Sequence, residues 1–222
     1  PPYSTNTIDN TIDLSANADG IGKGIGYSVT SNRIILIRVA SSVWFNASTH
    51  AQLGRYTALN NNQSMDIDET GLWAYIARHT GTDNIVQRFQ ISNATTAATV
   101  SYFLSASVVD AKLFAMNGFA YVSQPGTNRT VKVDMFGGTA NTLIGLNTVK
   151  LIGKSALNNV LHGRARDAAD SKLYELDPVA NTFNTTTSLN ADYGSAWPFT
   201  FSVFRGLVPA MSPTPTPTTS LT

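Results

Sequence analysis

Ser64-Met65-Asp66-Ile67-Asp68-Glu69-Thr70-Gly71-Leu72-Trp73-Ala74-Tyr75-Ile76-Ala77 consists of two β-forming runs joined by a polar turn. Thr70-Gly71 supplies the reversal, because glycine accepts the positive φ that a tight turn demands. Aromatic and β-branched residues then carry the chain away from it. The same order of residue types recurs: Ser31-Asn32 precedes Arg33 to Val39, Asn117-Gly118 precedes Phe119 to Ser123, Asn158-Asn159 precedes Val160 to Arg164, and Arg205-Gly206 precedes Leu207. Two other landmarks keep the same beat. A Leu followed by small polar residues stands at Leu14, Leu59, Leu104, Leu146 and Leu189, and the polar residue of another run stands at Asn46, Gln90, Asp134 and Asp177. All three recur at about 44 residues, and each period holds four strand-like runs, which is the size and content of a propeller blade.

The stretch Ser64 to Ala77 resembles the strand-turn-strand pattern of YVTN and NHL type β-propeller repeats. Gly118-Phe119-Ala120-Tyr121-Val122-Ser123 echoes its second half, and Lys172-Leu173-Tyr174-Glu175-Leu176-Asp177-Pro178 is similar to its third strand. The resemblance covers roughly residues 14 to 190. It implies blade architecture and no activity, since the family spans enzymes, lectins and scaffolds.

The expected fold is therefore an all-β propeller of five four-stranded blades. Four full periods lie between Leu14 and Leu189. The remaining halves, residues 1–14 and 190–211, are expected to share the closing blade, with the outer strands from the N-terminus and the inner ones from the C-terminus, which removes exposed sheet edges. Pro209 weakens the last strand. The domain is placed at 1–211. Residues 212–222 begin with alternating Pro and Thr and read as an extended linker or stalk.

Composition narrows the function. The chain has 222 residues, 42% hydrophobic and only 13% charged, which excludes coiled coils and wholesale disorder. Fifteen basic and 14 acidic residues are scattered along it, so no basic field exists for nucleic acid. There is no cysteine, hence no disulfide and no thiolate metal site. No apolar run reaches the length of a membrane span.

No motif carries chemistry outright. His50, His79 and His162 lie in different repeats without metal-ligand spacing, and neither a metal nor a cofactor is implied. Gly20 to Gly26 fails the dinucleotide and P-loop spacings and reads as crowding near the axis. Asp19, Asp66, Asp68, Asp110 and Asp192 fall near predicted inner strands. Of these, Asp66, Asp68 and Asp110 are the candidate axial carboxylates for glycoside cleavage, which needs two acids facing one bond. Asp68-Glu69-Thr70-Gly71 also reads as an ordinary turn. Trp44, Trp73 and Trp197 suit sugar stacking or blade packing. Asparagine sequons occur at Asn46, Asn62, Asn93, Asn128 and Asn184, close to the number that composition alone produces. The tail offers Thr214, Thr216, Thr218 and Thr219 for O-linked sugar. These readings together point to a non-enzymatic propeller, extracellular or on a virion or cell surface. Its expected role is adhesion, assembly or service as a subunit of an external filament, with other protein subunits or surface glycans as partners and itself as a potential oligomer or polymer. The alternatives are a lectin-like propeller and a glycoside hydrolase or lyase.

Overall fold

A computed structural model describes residues 20–57, 61–93, 100–124, 129–137, 142–144, 149–155, 160–165 and 172–188. Apart from one 3-10 turn, the regular elements among them are strands. Four antiparallel sheets follow in chain order. The first blade is β1 (Gly22–Ser28), β2 (Arg33–Arg38), β3 (Ser42–Asn46) and β4 (Gln52–Tyr56). The second is β5 (Asn62–Ile67), β6 (Trp73–His79), β7 (Asn84–Gln90) and β8 (Val100–Leu104). The third is β9 (Lys112–Met116), β10 (Phe119–Gln124), β11 (Arg129–Asp134) and β12 (Thr142–Ile144). The fourth is β13 (Val149–Ser155), β14 (Val160–Ala165), β15 (Lys172–Asp177) and β16 (Thr182–Ser188).

Within each sheet the strands pair in sequence order, and the first strands touch their counterparts in the next sheet: β1 on β5, β5 on β9, β9 on β13. That is the β-propeller arrangement, in which each first strand lies innermost. The segments expected to form the closing blade, and the Pro/Thr tail, lie outside the described residues.

The turn chemistry acts as read. Asn117 and Gly118 take φ of 53° and 80° between β9 and β10, Gly71 takes 70°, and Asn32 takes 50°. The apolar run of β6 is continuous because both its faces are covered. Ala74 and Ile76 join Ile35, Ile37 and Trp44 of the first blade, whereas Tyr75 and Ala77 join Leu113, Ala115 and Val133 of the third. Met116, Tyr121, Leu151, Leu161 and Leu176 form a smaller cluster between the third and fourth blades. The core is thus a series of slabs between sheets. Trp44 is fully buried in one of them.

Candidate functional site

The innermost strands bring together the residues in question. Gly24 and Gly26 stand where β1 meets β5: a Cβ on Gly26 would come within 2.8 Å of Ile67 Cδ1 and 2.9 Å of Met65 Cε. The glycines of this stretch therefore serve close strand approach, as their failed phosphate-loop spacing suggested.

Asp66 points from β5 toward β9 and β13. The N–H of Ala115 donates to its Oδ2 at 2.9 Å and that of Ile67 to its Oδ1 at 2.8 Å. Lys154 of β13 reaches the same Oδ2 at 2.5 Å, and its ammonium also donates to the carbonyls of Ile67 (2.7 Å) and Ala115 (3.0 Å). One side chain from the fourth blade so ties the inner strands of the second and third. Burial pushes the Asp66 carboxyl above its ordinary range, against the opposing pull of Lys154 and the two amides. A second ion pair, Lys23 to Asp110 at 3.6 Å, joins the first blade to the segment that leads into β9. Both pairs link blades that are not neighbours in order.

The three candidate carboxylates have three separate partners. Asp66 holds Lys154, and Asp110 is exposed beside Lys23 with φ of 56°. Asp68 is buried in its own turn, where its oxygens accept from Thr70 Oγ1 (2.6 Å) and the N–H groups of Trp73 (3.0 Å) and Leu72 (3.2 Å). Asp68 thus does what its turn-like context predicts. Asp19 and Asp192 lie outside the described residues.

At the blade junctions the cations repeat. Arg33 Nη2 donates to the Ser92 carbonyl in the turn after β7, at 3.0 Å. Arg88 in β7 is buried with its guanidinium 4.4 Å from the Trp73 ring centroid and 3.9 Å from that of Phe136, in the turn after β11. Lys132 in β11 lies 4.2 Å from the Phe119 ring and donates to the Pro178 carbonyl (2.8 Å) and Asn181 Oδ1 (2.9 Å), in the turn after β15. Each of the first three blades therefore fastens a cation to the third-strand turn of the next. The turns after β3, β11 and β15 are built alike. Asn46 Oδ1 accepts from Ser48 and Thr49, Asp134 Oδ1 from Phe136 and Gly137, and Asp177 Oδ1 from Val179 and Ala180. The amides of Gly137 and Phe136 hold the Asp134 carboxyl below its ordinary range, and those of Ala180 and Val179 do the same for Asp177. At Asn46, Asp134 and Asp177 the polar landmark of the sequence is thus a turn cap, whereas Gln90 leads into the 3-10 turn Ile91–Asn93. The cations were missed, although Arg88 and Lys132 each stand two residues before that landmark.

The histidines stay apart. His79 Nδ1 meets Asn84 Oδ1 at 3.0 Å, His50 has a φ of 58°, and His162 Nδ1 lies 3.9 Å from Glu175. No group of three metal-binding side chains forms among the described residues. No helix among them is long and apolar enough to cross a membrane.

One sequon needs correcting. Asn62 is fully buried, and its Nδ2 donates to the carbonyls of Arg38 (2.8 Å) and Ser41 (3.1 Å), so the atom that would bear sugar is closed off in the fold. Asn46 is partly exposed and Asn184 exposed. Asn93 ends the 3-10 turn Ile91–Asn93. Asn128, Trp197, Thr214, Thr216, Thr218 and Thr219 lie outside the described residues.

No family model matches the chain, and no curated protein sequence matches it. Solved structures do. The Cps50 (Swd1) β-propeller domain of Myceliophteria thermophila is similar with a TM-score of 0.59 at 13% identity, over 82% of this chain and 59% of that one. A chain of the nidogen/laminin complex is similar with a TM-score of 0.54 at 12% identity, over 74% and 62%. Kuenenia stuttgartiensis hydrazine synthase has a TM-score of 0.54 at 13% identity, over 74% and 49%. This chain therefore spans less than two thirds of each of them. Likeness at such identity is likeness of fold, and the fold is a β-propeller.

Proposed function

We propose that this chain is a non-enzymatic propeller that works through contacts with other protein subunits, outside the cell or on a virion or cell surface, in adhesion, assembly or an external filament. Its ring has five blades of the YVTN/NHL kind, closed by residues 1–14 and 190–211 together, and residues 212–222 form its stalk. Supporting the small ring, Lys154–Asp66 and Lys23–Asp110 each bridge alternate blades, which requires short chords across the axis. The observation that carries the functional reading is the engagement of the axial charges. Asp66 and Lys154 bind backbone and each other to hold blades together, and Asp68 is engaged by its own turn.

A glycoside-cleaving reading has one observation in its favour, the raised carboxyl of Asp66 near the axis. Sedimentation and electron microscopy at rising concentration, beside a panel of polysaccharides, test the proposal. Ordered oligomers or polymers are expected. A strictly monomeric particle overturns the assembly role. Release of reducing sugar that disappears in Asp66→Ala, Asp68→Ala or Asp110→Ala installs the enzyme instead, and saturable binding to one sugar class installs the lectin.

A further inference from the structure

Strand register equates positions between blades. Ile35 pairs with Trp44, Tyr75 with Arg88 and Tyr121 with Lys132, each pair standing just inside the third-strand turn. On the other side Ile35 pairs with Gly26, Tyr75 with Asp66 and Tyr121 with Phe114. Ile25 and Tyr27 of β1 are therefore the counterparts of Met65 and Ile67 in β5 and of Leu113 and Ala115 in β9.

Those counterparts face the preceding blade and are 8%, 8%, 2% and 0% exposed, whereas Ile25 is 71% exposed and Tyr27 58%. Ile21 and Val29, which flank β1 at its two ends, are exposed as well. Two large apolar side chains exposed on one strand face, where every counterpart is buried, mark a surface that a partner covers.

The sequence says which partner. Met65 and Ile67 pack over small residues, Gly24 and Gly26, of the inner strand before them. If Arg205-Gly206 takes the place of Asn117-Gly118, the run Phe199-Thr200-Phe201-Ser202-Val203-Phe204 sets Thr200 and Ser202 at the counterpart positions of Gly24 and Gly26. The run alternates small polar with large apolar residues, as an inner strand between two blades must. Being part of the same chain, it has an effective concentration that a second copy does not match at ordinary dilution.

We infer that the exposed face of β1 is the seat of the chain's own segment 199–204, against which Ile25 and Tyr27 pack as Met65 and Ile67 pack on β1. The inference rests on the proposed ring closure and gives it a contact surface and a strand parity.

The chain has no cysteine, so introduced thiols are the only ones. Ile25→Cys combined with Ser202→Cys, treated with a short bis-maleimide, should give a cross-link within a monomer, read by mass after proteolysis. Ile25→Cys with Phe201→Cys, on the opposite strand face, should cross-link at least about fivefold less, from the period-two geometry of a strand. Equal yields at 201 and 202 overturn the inference, and so do cross-linked dimers, which identify a second copy as the occupant. Thr5→Cys with Val208→Cys tests the shared blade separately. If only that pair links, the terminal blade stands and the seat on β1 is refuted; if neither pair links, both fall. Ile25→Ser gives a readout free of thiols. Its Tm should fall by about 5 °C or more, as for a buried isoleucine, and an unchanged Tm refutes coverage of this face.

Discussion

Lys154→Met removes the one side chain that ties three inner strands, and its cost follows from what it leaves behind. Three acceptors lose the ammonium: the Ile67 carbonyl, the Ala115 carbonyl and Asp66 Oδ2, which keeps the Ala115 N–H. Breaking a fully buried pair costs about 3 to 5 kcal/mol, whereas an exposed pair contributes about 0 to 1 kcal/mol. The two side chains keep 19% and 22% of their surface, so water reaches the abandoned groups in part. The expected loss lies between those limits, about 2 to 3 kcal/mol, or roughly 4 to 12 °C in Tm for a domain of this size. Asp66 moderates it. With the ammonium gone, burial dominates more strongly and the carboxyl is pushed further up. A raised folded pKa favours the fold fully below the unfolded value near 3.8, and this advantage is lost as pH rises through the folded value. The deficit of Lys154→Met should therefore be larger at pH 7 than at pH 4. Thermal melts at both pH values, with Asp66→Asn and the double variant closing a mutant cycle, measure the coupling at about 1 to 2 kcal/mol. A deficit under about 0.5 kcal/mol, or one indifferent to pH, refutes the axial tie.

The blade junctions give three further tests. Arg88→Met should cost about 1 to 2 kcal/mol in urea unfolding through loss of the desolvated stack on Trp73 and Phe136; strict additivity with Phe136→Leu would show that the two do not act together. Gly26→Ala should destabilise by about 1 to 3 kcal/mol, because its Cβ meets Ile67 and Met65 below 3.0 Å, and a neutral result would mean that β1 and β5 separate freely. Asp134→Asn keeps the oxygen that caps the turn, as Asn46 does, while removing a carboxylate whose depressed pKa favours the fold above about pH 4 and ceases to as pH falls. Its stability should fall slightly at pH 7 and stay unchanged at pH 2, so that its acid limb flattens, checked by melts from pH 7 to pH 2.

What the sequence showed and what it hid follow from the range of each interaction. Asn117-Gly118 and Thr70-Gly71 were legible because a turn is decided by a few adjacent residues and by φ alone. The strands were legible because apolar runs repeat with the turns. Asp68 was readable as a turn residue for the same reason, since its partners Thr70, Leu72 and Trp73 are all within five positions. Lys154 was not, because Ile67 lies 87 residues away and nothing in their local sequences marks the pairing. Asn62 misled for a related reason. Its tripeptide is a proper sequon, yet contacts 21 and 24 residues distant bury the amide.

The junctions occupy a middle ground that repetition opens. A lone lysine or arginine on a strand is uninformative, but a cation two residues before the recurring polar residue, present in two successive periods, fixes a relation between blades. Arg88 and Lys132 obey it, each reaching the third-strand turn of the blade that follows. In the fourth blade the same register position is Glu175, paired with His162. There the device reverses its sign. In the first blade that position is Trp44 and the cation comes from Arg33 of β2, so the junctions share the third-strand turn of the next blade and not one donor position.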